Sequence, residues 1–202
     1  MVKKKKFPYK PFVFVACLLP ACWLVYGVFT GLLGANPIEA VLRDLGDWAL
    51  RFLLLGLAIS PIRRIIGWAW VMRYRRMIGL FAFFYAFMHL SIYIGVDQFF
   101  DWPTIWKDIV KRPYITIGMA AVLALVPLAV TSPKTMVRKL GGARWKALHK
   151  LVYPIAIAGV VHFFLLVKAD IREPLIYGAI LAFLLGERLY RRLPTRGFAR
   201  SS

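Results

Sequence analysis

The sequence predicts an all-α membrane protein: a single bundle of six transmembrane helices with both termini on the cytoplasmic side. Three observations lead there. The chain is 60% hydrophobic, with a mean hydropathy of +0.65, richer in apolar residues than a soluble domain. Apolar runs near the length that crosses a hydrocarbon core recur along it, unbroken rather than alternating, so they read as helices and not as barrel strands. A net charge of +19 is concentrated in the short connections between those runs. That is the pattern of membrane orientation and contact with anionic lipid, not of a nucleic-acid surface.

The first span is expected at 12–33. Lys3 to Lys6 ahead of it mimic the start of a signal peptide. The apolar run is too long for one, contains Pro20 and is followed by no small-residue cleavage site, so it reads as a retained span. Cys17 and Cys22 both lie in it, about 140° apart on an ideal helix; they read as small lipid- or core-facing residues, not as a disulfide or metal site. The second span, 45–62, is the least distinct because it carries Arg51, and an aromatic patch at 65–72 follows it at the interface. The third is expected at 77–96. The connection 97–113 has Trp102 and Trp106 four residues apart, the spacing of an amphipathic interfacial helix or of a docking surface for an outer partner. Spans at 114–131, 149–167 and 174–188 complete the bundle. No connection has room for a soluble domain, so residues 1–202 form one domain.

Orientation follows from basic residues alone. With the N-terminus inside, 21 of the 28 Lys and Arg lie on the inner side, leaving Arg43, Arg51, Lys107, Lys111, Arg112, Lys168 and Arg172 outside. Of the acids only Glu187 falls inside; the acidic outer face suits a basic partner.

The three histidines, His89, His149 and His162, all lie in or at the edge of spans. A histidine within a span is either an interhelical hydrogen-bonding group or a functional one. His89 follows the inner charge Arg76, and His162 follows Lys150, by nearly the same number of residues, about 20 Å and 18 Å along parallel helices. Two imidazoles at one depth, roughly two-thirds of the way across the core, match the axial nitrogens of a six-coordinate haem that carries electrons rather than oxygen. Gly79, Gly95 and Gly159 leave space nearby, and Phe83, Phe84, Tyr85, Phe87, Phe163 and Phe164 offer apolar walls. His149 lies at the inner boundary, about 20 Å from His162 along the helix and turned about 220° around it. Pro154 between them is able to shift that register. The matching position on the third span holds Arg76, so His149 has no histidine opposite and reads as a ligand of a second group, a propionate partner or a plain interfacial residue.

The stretches RRMIGLFAFFYAFMHLSIY (Arg75–Tyr93) and RWKALHKLVYPIAIAGVVHFF (Arg144–Phe164), with the inner SPIRR segment (Ser60–Arg64), resemble the ferric-reductase-like transmembrane domain. Within it they are most similar to the MsrQ (YedZ) family, the haem-binding membrane subunits of bacterial periplasmic methionine-sulfoxide reductase systems, and the resemblance covers nearly the whole chain. It implies a multi-pass protein of the inner membrane that carries electrons through b-type haem, one or two per chain, with FMN as a further cofactor. Electrons would come from the quinone pool or a cytosolic flavin reductase and go to a periplasmic molybdopterin enzyme that reduces methionine sulfoxide in oxidised proteins. The family's haem histidines carry over onto His89, His149 and His162. On charge grounds Arg73, Arg75, Arg76, Arg144 and Lys146 are candidates for an FMN phosphate or a haem propionate; the other reading is that they only set topology.

Two other functions compete. A stand-alone b-type cytochrome reducing quinone or metal needs no dedicated partner. A small transporter would use charges within the spans, but only Arg51 is so placed and no carboxylate lies deep in any span. There is no dinucleotide-binding G-x-G-x-x-G and no nucleophile constellation for sulfoxide chemistry, so catalysis is expected on the partner.

Overall fold

The structure, a computed structural model, describes residues 9–191. Lys3 to Lys6 and Arg192, Arg196 and Arg200, which carry part of the orientation argument, lie outside the described residues. Among the described residues the regular structure is helical, with no strand.

Helix α1 spans Tyr9–Thr30 with Pro20 inside it. Tyr85, fully buried, inserts its hydroxyl into the adjacent turn: Oη donates to the Cys17 carbonyl (2.8 Å) and accepts from the Ala21 N–H (3.1 Å). In hydrocarbon such a bridge is how a turn opened near a proline keeps its polar groups satisfied. Cys17 is buried, Cys22 is exposed and both are free thiols.

Helix α2, Pro37–Ile65, starts well before the expected 45. The Asn36 side chain caps it by accepting from the Glu39 N–H at 3.3 Å, and Pro37 takes the first turn, where its missing N–H costs nothing. The hydropathy reading lost these turns because they carry Glu39, Arg43, Asp44 and Asp47. A 3-10 segment at Ala69–Tyr74 leads into α3, Arg75–Ile92, which ends in a π-turn at Tyr93–Asp97. Trp68 and Trp70 stay about half exposed.

Helix α4, Trp102–Lys111, is the amphipathic helix expected in the connection 97–113. Ile105 and Asp108 face inward, while Trp102, Trp106 and Val110 stand on the exposed side. Helix α5 spans Pro113–Val130, α6 Lys134–Leu140, α7 Gly142–His149, α8 Val152–Leu166 and α9 Arg172–Tyr190.

Among the described residues five segments are long and apolar enough to cross a membrane: α1, α2, the stretch Ala69–Asp97, α5, and α7 with α8 as Gly142–Leu166. The sixth expected span coincides with α9, which is of similar length but carries Arg172, Glu173, Glu187 and Arg188 near its ends.

Helix α2 lies along α3, α5 along α8, and α3 against α5 joins the two pairs; α1 leans on α2 and α3, and α9 closes against α8 and α2. Small residues at the contacts, among them Ala82 and Ala156 with no exposed surface, let the backbones approach closely, the usual basis of packing between membrane helices. Large side chains such as Trp23, Phe29, Leu123 and Phe183 face outward, as expected where lipid is the solvent.

Candidate functional site

His89 stands near the C-terminal end of α3 and faces α2. Its Nδ1 lies 2.8 Å from the carbonyl oxygen of Leu42. His162, on α8, faces α5, with Nδ1 2.6 Å from the carbonyl oxygen of Tyr114. A carbonyl only accepts, so each Nδ1 carries the proton and each Nε2 keeps a free lone pair. The two imidazoles meet at the centre of the four helices with ring centres 6.2 Å apart and planes at 87°. Glycines line both seats. A Cβ on Gly46 would come 3.3 Å from His89 Nδ1, and one on Gly118 would come 2.7 Å from His162 Nδ1.

The 6.2 Å between ring centres suits two imidazoles that share one iron. With about 2 Å for each metal–nitrogen bond and about 1.1 Å from ring centre to nitrogen, axial imidazoles stand about 6 Å apart. Among the described residues no group of three or more His, Cys, Asp or Glu gathers as a metal site of another kind.

His149 is apart from this pair, at the C-terminal end of α7. Its ring stacks on Trp145 (centres 3.9 Å, 27°), and its Nδ1 is 3.1 Å from the Trp145 carbonyl. The chain between His149 and His162 is not a uniform α-helix: Lys150, Leu151 and Tyr153 each donate to the carbonyl three residues back. The tightened turn comes just before Pro154 and rotates the chain further per residue than an α-helix does. The guanidinium in electrostatic contact with His149 is that of Arg75, not Arg76. Arg76 instead donates from Nε to Ser132 Oγ at 3.0 Å, beside the Trp145 Nε1 bond to the Thr131 carbonyl (2.9 Å). Arg73 bonds back to the Trp70 carbonyl at 3.3 Å. Arg144 and Lys146 are exposed on α7. The structure therefore gathers His149, Arg75 and Arg76 around the ends of α3, α5 and α7, and leaves Arg73, Arg144 and Lys146 at the rim.

Beyond His89 toward α4 lies a polar cluster. Tyr93, one turn beyond His89, reaches Asp108 of α4 through its hydroxyl (3.2 Å), and Arg112 pairs with the same carboxylate at 3.2 Å. The Tyr114 side chain and the Asp108 carboxylate together hold the Arg112 guanidinium more firmly protonated than usual. Arg51 is absorbed by a different contact: Nε donates to Tyr177 Oη at 2.8 Å, Asp47 lies 3.4 Å away, and the guanidinium sits 4.8 Å from the Trp48 ring centre.

The glycines expected near the histidines are placed otherwise. Gly79 has open space beside it, Gly95 faces Phe100, and Gly159 faces Leu50. Phe87 and Phe164 are largely exposed. Gly46, Gly118 and the carbonyls of Leu42 and Tyr114 were missed from sequence because glycine is common in membrane helices and nothing local says which one faces an imidazole.

The model of the ferric reductase like transmembrane component family matches residues 45–160, a stretch that includes His89 and His149. Three relatives called protein-methionine-sulfoxide reductase heme-binding subunit MsrQ match most of the chain. That of Rhodospirillum rubrum is 63% identical over 88% of this chain and 85% of its own length. That of Caulobacter vibrioides is 51% identical over 88% and 85%, and that of Azospira oryzae 48% identical over 93% and 81%. No solved structure matches.

Proposed function

This chain belongs to the MsrQ family of ferric-reductase-like membrane components, and from that premise we propose that it carries electrons through b-type haem across the bacterial inner membrane. They would pass from the quinone pool or a cytosolic flavin reductase to a periplasmic molybdopterin enzyme that reduces methionine sulfoxide in oxidised proteins. The observation that carries this reading is the pair of imidazoles 6.2 Å apart, each tied by Nδ1 to a carbonyl.

His89 and His162 are the proposed axial ligands. A haem held there would supply one-electron transfer. The chain's own residues do the rest. The carbonyls of Leu42 and Tyr114 hold the tautomer that presents Nε2 and raise the basicity of the rings. Tyr93, Asp108 and Arg112 close the outer end, beneath the face where the partner would dock. In the six-span reading, with both ends cytoplasmic, that face is periplasmic and His89 with His162 lie on its side of the membrane. At the inner end, His149 with Arg75 and Arg76 is the place for a second haem or for a propionate. Arg73, Arg144 and Lys146 add the charge that would hold an FMN phosphate.

The test is a reduced-minus-oxidised spectrum of the purified protein after haem-replete expression. Wild type is expected to show b-type bands, and His89→Ala and His162→Ala each to lose the central haem. A well-folded wild type without haem, or both variants with wild-type haem content, overturns the reading.

A further inference from the structure

We propose that Gly46 and Gly118 are positioning residues for the haem ligands, each clearing the backbone carbonyl one helical turn before it so that a histidine from the neighbouring helix docks there. The proposal rests on the reading of His89 and His162 as an axial pair.

In an α-helix the side chain of a residue leans toward the N-terminus and covers the turn before it, so residue i+4 overlies the carbonyl of residue i. That carbonyl already accepts the intrahelical bond from the i+4 N–H and keeps one further lone pair facing outward. A side chain at i+4 blocks the approach to it; glycine leaves it open. An imidazole N–H within hydrocarbon must find an acceptor or remain unsatisfied at high cost. In a bundle with few polar side chains, an uncovered carbonyl is the available one.

The arrangement occurs twice on separate helices. On α2, Leu42 accepts from His89 and Gly46 is four residues on; on α5, Tyr114 accepts from His162 and Gly118 is four residues on. In both cases the atom nearest to an added Cβ is the histidine Nδ1 itself. The two seats differ in tightness. At 3.3 Å the His89 ring has to give by a few tenths of an ångström, whereas at 2.7 Å from Nδ1 and 2.8 Å from Cε1 the His162 ring cannot stay. The seats also set the angle between the rings, 87°, which governs the anisotropy of a low-spin ferric bis-imidazole centre.

The experiment compares Gly118→Ala, Gly46→Ala and Gly186→Ala in the full chain, purified in detergent after haem-replete expression. Haem per protein, the low-spin electron paramagnetic resonance signal and the midpoint potential are measured on each. Gly118→Ala is expected to lose haem or to shift both signal and potential. Gly46→Ala should move them less, and Gly186→Ala, on α9, should match wild type because nothing lies near its added Cβ. Thermal stability separates a seat from a general packing fault: Gly118→Ala should destabilise the wild type but not the His162→Ala background, where the obstructing ring is gone. A Gly118→Ala protein with wild-type haem content, signal and potential overturns the proposal, even if the stability effect depends on His162. If His162→Ala itself retains the full haem signal, it is the ligand assignment that fails.

Discussion

Single side chains decide whether polar groups are tolerated inside this bundle. Each histidine of the central pair has its Nδ1 satisfied by a carbonyl of a neighbouring helix, whereas His149 meets the Trp145 carbonyl of its own helix, stacks on that indole and also reaches the Leu128 backbone of α5. His149→Ala is therefore expected to keep the low-spin centre of His89 and His162, while perturbing any signal from the inner end; loss of the central signal would show that the two levels are coupled. Arg51 holds α2 to α9 through Tyr177. Arg51→Ala should cost about 1–3 kcal/mol, less than a fully buried pair, because its side chain is 35% exposed. Thermal unfolding in detergent measures this, and haem content should be unchanged.

At the scale of elements, α1 is attached through one unusual contact. Tyr85→Phe removes the hydroxyl that bridges the Cys17 carbonyl and the Ala21 N–H, and should cost about 0.5–1.5 kcal/mol. The loss should show as faster hydrogen exchange in α1 with α3 unaffected; equal protection in both forms would mean that the bridge is dispensable. Helix α4 is capped by Asp101, whose carboxylate accepts from the Thr104 N–H at 3.2 Å and from its hydroxyl at 2.7 Å. The Thr104 hydroxyl, and then its N–H, hold the Asp101 carboxyl below its ordinary value of 3.8. A depressed acid stabilises the fold above its unfolded value and stops doing so as pH falls through the folded one. Helix α4 should thus keep its order from neutral pH down to the ordinary carboxylate range and fray below it. Amide exchange across Trp102–Lys111 follows this, and Asp101→Asn should flatten the dependence.

For the whole molecule the decisive quantity is the distribution of charge. If α9 crosses the membrane and both ends are cytoplasmic, a C-terminal alkaline phosphatase fusion is inactive, and one inserted within 97–113 is active. An active C-terminal fusion would mean that α9 stays on one side, as its terminal charges would permit.

The helical membrane class, the positions of four of the spans to within a few residues and the pairing of His89 with His162 were legible in the chain. They depend on local quantities: runs of apolar residues, the sign of the charges between them, and distance along helices that rise by a constant step. The early start of α2 escaped because its outer turns are charged and held by a cap rather than by hydropathy. Spacing puts Arg76 at the level of His149, while the guanidinium whose field reaches that ring is that of Arg75, because equal spacing along two helices says nothing about their rotation. For the same reason the wrong glycines were assigned to the histidines. Which face of α2 meets α3, and of α5 meets α8, is set by packing between helices far apart in sequence. Only the tertiary structure decided that Gly46 and Gly118 lie under the two imidazoles.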